Sequence, residues 1–319
     1  MNKKIVCKFG GTSLADSSQM RKVRDIVHSS KDRMYVIVSA PGKRHKDDTK
    51  VTDLLYASMT DDTAFEKVVT RFFSLEKDLN VSHRASDYLI AHKSVIKSDK
   101  DFAASRGEFC SALVMSEFLG FEFIDAEIII DIDENGKTLP TTFEKIQKEI
   151  KMGVPYVIPG FYGKGTNDKV KTFSRGGSDI TGSIIARAVN ASLYENWSDV
   201  SGVMSANPRI VENPKIIPEL SYEEMELLAA YGAEVYHHDA VECIRDIVPI
   251  NIRNTNAPND KGTMIVSSNH HKPLNPLAVT SKDNTIYALG DMKVLESKVP
   301  TSKDNINAEL NLLYKKYFG

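Results

Sequence analysis

The chain has 319 residues, 41% hydrophobic and 26% charged, with a formal net charge of −2. That balance describes an ordinary globular chain, long enough for one large α/β domain or two medium ones, and gives no broad electrostatic surface for nucleic acid or anionic membrane. Three scattered cysteines without a CxxC pair, no signal-peptide core and no window near ~20 apolar residues exclude a disulfide framework, a structural zinc site and a membrane helix. The expectation is a soluble, cytoplasmic protein.

Short apolar strands alternate with helical patterns along the chain. Residues 4–9 read as a strand broken by Gly10-Gly11, and Met20, Val23, Ile26 and Val27 set helical spacing over 16–30. A buried strand is predicted at 35–39, bounded by Pro41-Gly42, and helices at 51–59, 63–79 and 102–119. Strands follow at 121–124 and 127–132, a helix at 142–151, a strand at 156–159 and a helix at 177–190. Beyond a strand at 193–197, Ser221-x-x-Glu224 opens a helix that Gly232 stops. A helix at 235–246, a strand at 250–254, a strand at 285–289 and a terminal helix at 307–318 complete the series. The last helix carries Leu310, Leu313, Tyr314 and Tyr317 on one stripe.

This alternation predicts an α/β fold, a mostly parallel central sheet with helices on both faces. Such sheets place ligands at the carboxyl ends of their strands, so the informative loops follow Phe9, Ser39, Pro159 and Trp197. The charge run Lys43–Lys50 has two readings, a solvated loop or a lid over the substrate.

The loop after the first strand, Lys8-Phe9-Gly10-Gly11-Thr12-Ser13, sets a lysine before two glycines and two hydroxyls, ahead of a helix. Glycines let backbone N–H groups approach a polyphosphate, the helix terminus adds partial positive charge, and Lys8 can act as a point charge on a transferring phosphoryl group. A tight turn with a surface lysine is the structural alternative. The lysine precedes the glycines, so this is not a Walker loop, and no dinucleotide fingerprint follows a strand. A second loop, Thr172–Asp179 (TFSRGGSD), joins paired glycines to an arginine and an acid. An amino dicarboxylate needs a planar donor for its carboxylate and an anion for its ammonium; Arg175 offers the first, Asp179 and the distant Glu108 the second. Trp197–Met204 then runs from a strand into a glycine turn, with Arg209 beyond it as a second phosphate cation.

Together these segments resemble the aspartokinases of the amino-acid kinase superfamily. The resemblance covers about residues 4–266 and rests on KFGGTS (8–13), TFSRGGSD (172–179), WSDVSGV (197–203) and NPRIVENPKII (207–217), with VSAPGK, VTDLL, SRGEF, PGFYG and YGAEVYH in support. It implies a three-layer αβα sandwich. It also implies Mg-ATP-dependent phosphorylation of the side-chain carboxylate of L-aspartate, the first step of lysine, threonine and methionine biosynthesis. On that resemblance Lys8, Asp179 and Arg175 are catalytic, and Ser39, Thr52, Glu108, Phe161 and Arg175 hold aspartate. Lys8, Gly10, Gly11, Ser13, Ser198, Asp199, Met204 and Arg209 meet ATP, Mg2+ comes with the nucleotide, and no residue is assigned to a protein-held metal. The chemistry agrees: a carboxylate nucleophile is already ionised at neutral pH (reference pKa ~3.9), so no general base is required.

Departures sit in the nucleotide loop, where Asn207 replaces a frequent aspartate and Ser201 a proline, and at Glu234, where some relatives carry a lysine. His238 stands in place of a proline beside His237, a pair for which a structural role is expected. The division expected is a catalytic domain at 1–268, its N-terminal part for substrate and its C-terminal part for nucleotide. The stretch 269–319 is expected to be a tail too short for the paired ACT modules usual in the family, so that the chain either lacks intrinsic feedback or is a shortened form. Partners expected are ATP and L-aspartate, with no nucleic acid or membrane, and self-association stays open. Two other functions stay open as well: a kinase of the superfamily with another acceptor, and a catalytically weak regulatory or binding subunit.

Overall fold

The computed structural model describes residues 3–174, 176–233, 238–300 and 305–319. In chain order the strands and helices are β1 (Ile5–Phe9), α1 (Ser17–His28), β2 (Arg33–Val38), α2 (Val51–Ser58), α3 (Asp62–Leu79), α4 (Arg84–Ala91), α5 (Lys93–Ser98), α6 (Lys100–Leu119) and β3 (Glu122–Phe123). Next come α7 (Ala126–Ile129), β4 (Asp131–Ile132), α8 (Thr141–Glu149), β5 (Tyr156–Pro159), β6 (Tyr162–Gly165), β7 (Val170–Thr172), α9 (Gly177–Ala188) and β8 (Leu193–Ser198). The remainder is β9 (Glu219–Ser221), α10 (Tyr222–Ala230), α11 (His238–Glu242), β10 (Ile250–Asn254), β11 (Thr263–Val266), β12 (Ala278–Lys282), β13 (Thr285–Gly290), β14 (Lys293–Lys298) and α12 (Ile306–Phe318).

Eight strands form the central sheet in the order β3-β5-β2-β1-β8-β10-β11-β9, parallel at every pairing but β10–β11. Helices cover both faces, giving the α/β sandwich that the alternation predicts: α2 to α6 form one group, and α8, α9 and α11 another. The sheet's core strands are buried on both sides, as parallel strands must be, through Val6, Val36, Ile37, Val157, Ile158 and Tyr194. Sequence order reverses at β1, with β2 on one side and β8 on the other. A doubly wound sheet opens its ligand crevice at such a switch.

Alternation along β1 and β8 sorts side chains to opposite faces. Cys7 pairs in register with Glu195, and Phe9 with Trp197. On that face Glu195 is buried and receives two bonds from Arg33 (2.8 and 3.0 Å) and one from Trp197 Nε1 (2.9 Å). Burial disfavours the Glu195 charge, but the Arg33 guanidinium reverses this and holds the carboxyl below its ordinary range. Removing either partner would strand a buried charge, at a cost of about 3–5 kcal/mol. Lys8 and Asn196, one residue on, are also in register and face the other way.

Two segments differ from the sequence expectation. Residues 127–132, read as a strand from Ile128-Ile129-Ile130, begin instead with the single helical turn α7. The Asp125 side chain accepts from the Glu127 amide (3.1 Å) and Ile130 N–H bonds Ala126 O (2.8 Å), so a local cap overrides β-branched preference. The helix expected over 235–246 is described only as α11, followed by turns; 234–237 lie outside the described residues. The capping box at Ser221 and Glu224 forms as expected.

Residues 278–298 build an antiparallel sheet, β12-β13-β14, and α12 packs on β12 and β13. The predicted stripe faces inward: Leu310, Leu313 and Tyr314 join Val279, Ile286 and Ala288, and also Ala206 and Val211 from the connection between β8 and β9.

Candidate active site

Four central strands end in one row. Phe9 of β1 is level with Val38 of β2 and Trp197 of β8, and Val38 is level with Pro159 of β5. The next residues, Gly10, Ser39, Gly160 and Ser198, therefore stand side by side at the carboxyl edge. Hydrogen bonds hold the row past the strand ends: Gly10 N–H to Trp197 O (3.0 Å), Ser39 N–H to Phe9 O (3.2 Å) and Gly160 N–H to Val38 O (3.0 Å).

Lys8 points from β1 toward the first turn of α9, where its Nζ lies 2.7 Å from Asp179 Oδ1. Asn196 Nδ2 bonds the same oxygen at 3.2 Å. A side chain at Gly10 would meet Lys8 Nζ at 3.7 Å, so the ammonium lies alongside the glycine loop. Lys8 is nearly buried, with 8% of its surface exposed, and Asp179 supplies the counter-charge that makes this tolerable. The result is a cation fixed beside backbone donors at the switch point, suited to a polyphosphate.

Close backbone contacts set the loops after β1 and β2. A Cβ on Gly11 would lie 2.9 Å from Ala40 O, and one on Gly42 would lie 2.7 Å from the Gly11 carbonyl carbon. Gly107 of α6 packs the same way, its hypothetical Cβ 2.6 Å from that of Ala40. That contact seats the next residue, Glu108, against the loop, where its carboxyl accepts from the Ala40 amide. Glu108 is buried, and burial pushes its carboxyl up to about 8, the nearby Arg106 guanidinium offsetting only part. Its Oε2 finds no hydrogen-bond partner among the described residues. A buried orphan oxygen of this kind calls for a cationic donor.

Phe161 follows β5 with φ +80°, a conformation costly for a bulky residue. Its amide donates to Thr181 Oγ1 (3.2 Å), its carbonyl accepts from Phe173 N–H (2.9 Å), and its ring fills the space beside Gly177 that a Cβ would occupy. Thr52 is half-buried in the first turn of α2, which Val51 N–H ties to Pro41 O (3.2 Å). Arg175 lies outside the described residues, as do Glu234 and His237.

On the other side of the row, Ser198 O accepts from Thr255 N–H (2.8 Å) and its hydroxyl from Val200 N–H (3.3 Å). Asp199 and Arg209 are exposed, and Met204 bridges to Ile216 across an irregular hairpin. Asn207 caps that hairpin's tip, its side-chain oxygen accepting from Arg209 N–H (2.9 Å). Ser13 stands apart from the other expected nucleotide contacts: its hydroxyl is buried and bonded to Thr255 Oγ1 at 2.7 Å. The charged segment 43–50 is tied down by Arg71 of α3, which bonds Asp48 Oδ2 and Gly42 O (both 3.0 Å) and also Ala15 O. With Arg44, these bonds hold the Asp48 carboxyl far below the usual range. Asn196, Gly107 and Arg71 were not singled out from sequence; the first had a signal, its even spacing from Ser198 on a strand already read as ending at the site.

A sequence model of the amino acid kinase family matches residues 3–254. The chain belongs to the amino acid kinase family. Among members of that family, Aspartokinase 3 of Bacillus subtilis is 37% identical over 290 residues, which span 82% of this chain and 63% of that protein. Lysine-sensitive aspartokinase 3 of Escherichia coli is 26% identical over 329 residues, 93% of this chain and 72% of that protein. The crystal structure of Clostridium acetobutylicum aspartate kinase is 45% identical and superposes with a TM-score of 0.80, covering 87% of this chain and 66% of its own. This amino acid kinase thus spans a little under two thirds of the length of two of these three relatives. Among its described residues no helix is long and apolar enough to cross a membrane, and no three His, Cys, Asp or Glu side chains are grouped to hold a metal.

Proposed function

We propose that the chain is an aspartate kinase, transferring the γ-phosphoryl group of ATP to the side-chain carboxylate of L-aspartate to give 4-phospho-L-aspartate and ADP. The observation that carries this is Glu108, a buried carboxyl with one oxygen unpartnered among the described residues, held beside the Ser39 loop one strand away from Lys8. A neutral acceptor gives no reason to keep such a group there. An α-ammonium does, because it supplies the missing donor and returns the carboxyl to its ionised form. The likeness to aspartokinases of Bacillus subtilis and Clostridium acetobutylicum supports aspartate over other amino acids.

In this reading Glu108 takes the ammonium, Ser39 and Thr52 bind polar groups of the acceptor, Phe161 walls its side, and Arg175 pairs a carboxylate. The side-chain carboxylate oxygen attacks the γ-phosphorus as the bond to the bridging oxygen of ADP breaks. Both partners are anions, so Lys8, held in place by Asp179, and the amide of Gly11 neutralise charge that spreads over the transferring oxygens; the Gly10 N–H, expected to join them, donates instead to Trp197 O. Ser198, Asp199, Met204 and Arg209 receive the nucleotide on the β8 side. Mg2+ would come with the nucleotide and draw charge off its phosphates; it needs only one or two protein carboxylates beside them, and exposed Asp199 is a hard oxygen donor of that kind. Every substrate is a small cytoplasmic metabolite, in keeping with a cytoplasmic enzyme.

The test is to incubate the purified chain with Mg-ATP and aspartate, trap the acyl phosphate with hydroxylamine and measure hydroxamate. Glutamate, N-acetylglutamate and a substrate-free blank run alongside. Hydroxamate that depends on aspartate is expected; the same yield with glutamate, or none with any acceptor, would remove the proposal.

A further inference from the structure

The connection between β8 and β9 leaves the sheet, makes an irregular hairpin and returns. Its limbs are joined by Ser205 N–H to Lys215 O (2.9 Å), Ile217 N–H to Val203 O (2.8 Å) and the Met204–Ile216 bridge. The tip holds Asn207, exposed Arg209 and Ile210. Ladder bonds this few do not define a rigid loop, and a loop that binds phosphates must be ordered or else be ordered at the expense of affinity.

At its base Thr263 of β11 bonds both limbs, accepting from Val203 N–H (2.8 Å) and donating to Ile217 O (2.5 Å); nearer the tip, what holds it comes from the far end of the chain. Tyr314 of α12 is 9% exposed, and its hydroxyl touches both limbs: it lies 3.1 Å from Ser205 Oγ on the outgoing limb and accepts from Lys215 N–H at 3.0 Å on the returning one. A phenol has one proton and two lone pairs, so it can donate to the serine while accepting from the amide, and both limbs are bonded through one atom. Its neighbours add to the clamp. Asn311 Nδ2 donates to Ile210 O at the tip (2.8 Å), Lys215 Nζ reaches Phe318 O (2.9 Å), and Val279 N–H of β12 bonds Ser205 O (2.8 Å). The Tyr314 ring stacks on Phe318 at 4.8 Å and packs with Ala206 and Val211.

We propose that Tyr314 is a positioning residue for the nucleotide: its hydroxyl locks the limbs of the 203–217 hairpin between its base and its tip, at Ser205 and Lys215, so that Met204 and Arg209 are presented to ATP in one geometry. The C-terminal sheet and helix thereby form the back wall of the nucleotide side of the site. This rests on the reading of that hairpin as the nucleotide loop given above, and it adds a residue 99 positions beyond Lys215 in sequence that never meets ligand.

Tyr314→Phe in the full chain removes the hydroxyl and leaves the ring in its cluster. The expected result is an ATP KM raised about three- to tenfold, the worth of a hydrogen-bonded anchor, with kcat at saturating ATP and the aspartate KM unchanged. Hydrogen exchange should quicken at the Lys215 amide, which loses its acceptor. Ser205→Ala, which frees only one limb, should give a smaller rise in ATP KM of the same kind. Leu313→Ala, in the same helix but touching neither limb through a polar atom, should lower the melting temperature without that split. Calorimetry of Mg-ADP binding to the wild type is done first. No binding there overturns both the reading of the site and this inference; equal binding and equal ATP KM in wild type and Tyr314→Phe overturn this inference alone. So would a rise of both KM values together with a loss of stability, which would reduce Tyr314 to packing.

Discussion

The two sides of the strand-end row are held by opposite means. On the β2–β5 side the backbone itself is locked: Gly11 against Gly42, Gly107 against Ala40 and the ring of Phe161 against Gly177 leave no room for a methyl group. Its buried carboxyl, Glu108, has one oxygen without a partner among the described residues. On the β8 side Asp199 and Arg209 are exposed, and order is borrowed from α12 through hydrogen bonds rather than from close packing. The difference matches what each side would recognise under the proposed function. A small zwitterion is distinguished from its relatives by desolvated, unyielding contacts, because a polar group left unpaired there is costly. A polyphosphate is attracted by charge and tolerates a wetter, more adaptable rim.

Lys8 sits between the two sides and should give the largest effect. Lys8→Ala is expected to lower kcat by ~10²–10³ or more while nucleotide binding weakens far less, the pattern of a donor used in the transition state. Turnover near that of the wild type would show that the cation is structural and that the boundary between the two sides is not where the chemistry occurs.

Glu108→Gln tests the locked side. The kcat/KM for aspartate should fall about 10- to 100-fold, the worth of one charge-assisted bond, with the ATP KM unmoved. Two pH effects accompany it. The carboxyl must be ionised to pair with the ammonium, so in the wild type aspartate binding should weaken as pH falls below about 8, and the glutamine variant should lose that dependence. Stability runs the other way. The folded carboxyl titrates near 8 against an ordinary 4.5, so in the ligand-free chain the stability it contributes is full below 4.5 and lost as pH rises toward 8. At pH 8 the variant should therefore melt higher than the wild type while working worse. An unchanged melting temperature at pH 8, measured by calorimetry, would mean that the site is wetter than its burial indicates.

The smallest effect is expected on the open side. Arg209→Ala should raise the ATP KM only a fewfold, increasingly so at low salt, because a solvent-exposed cation acts through a screened field. A loss as large as that of Lys8→Ala would erase the contrast and place Arg209 on the transferring phosphoryl group.

Much of the site could be read before any coordinates, because it is made of local units. A lysine, two glycines and a helix in succession make a candidate phosphate loop from neighbours in sequence, and TFSRGGSD makes a candidate acceptor loop ahead of α9 in the same way. The errors fall where local preference and distant contacts disagree. Ile128-Ile129-Ile130 has the composition of a strand, yet the Asp125 cap starts a helical turn. β9 carries no strand signal of its own: among the described residues it pairs only with β11, more than forty residues on. The stripe on α12 was legible, but its docking surface at Ala206 and Val211 was not.

Sequence by itself determined which groups are present and in which loops: a cation at the end of β1, hydroxyls and glycines beside it, and a parallel sheet to bring those ends together. Three-dimensional packing decided their states. Glu108 is an ordinary glutamate by composition, and it becomes a high-pKa, half-satisfied carboxyl only because Gly107 seats it against Ala40, away from water. Tyr314 is an ordinary core tyrosine by periodicity, and it becomes the anchor of a distant hairpin only because α12 ends beside Ser205 and Lys215. Periodicity and propensity act over a few residues, whereas desolvation and hydrogen-bond partnership depend on whatever the folded chain brings within a few ångströms.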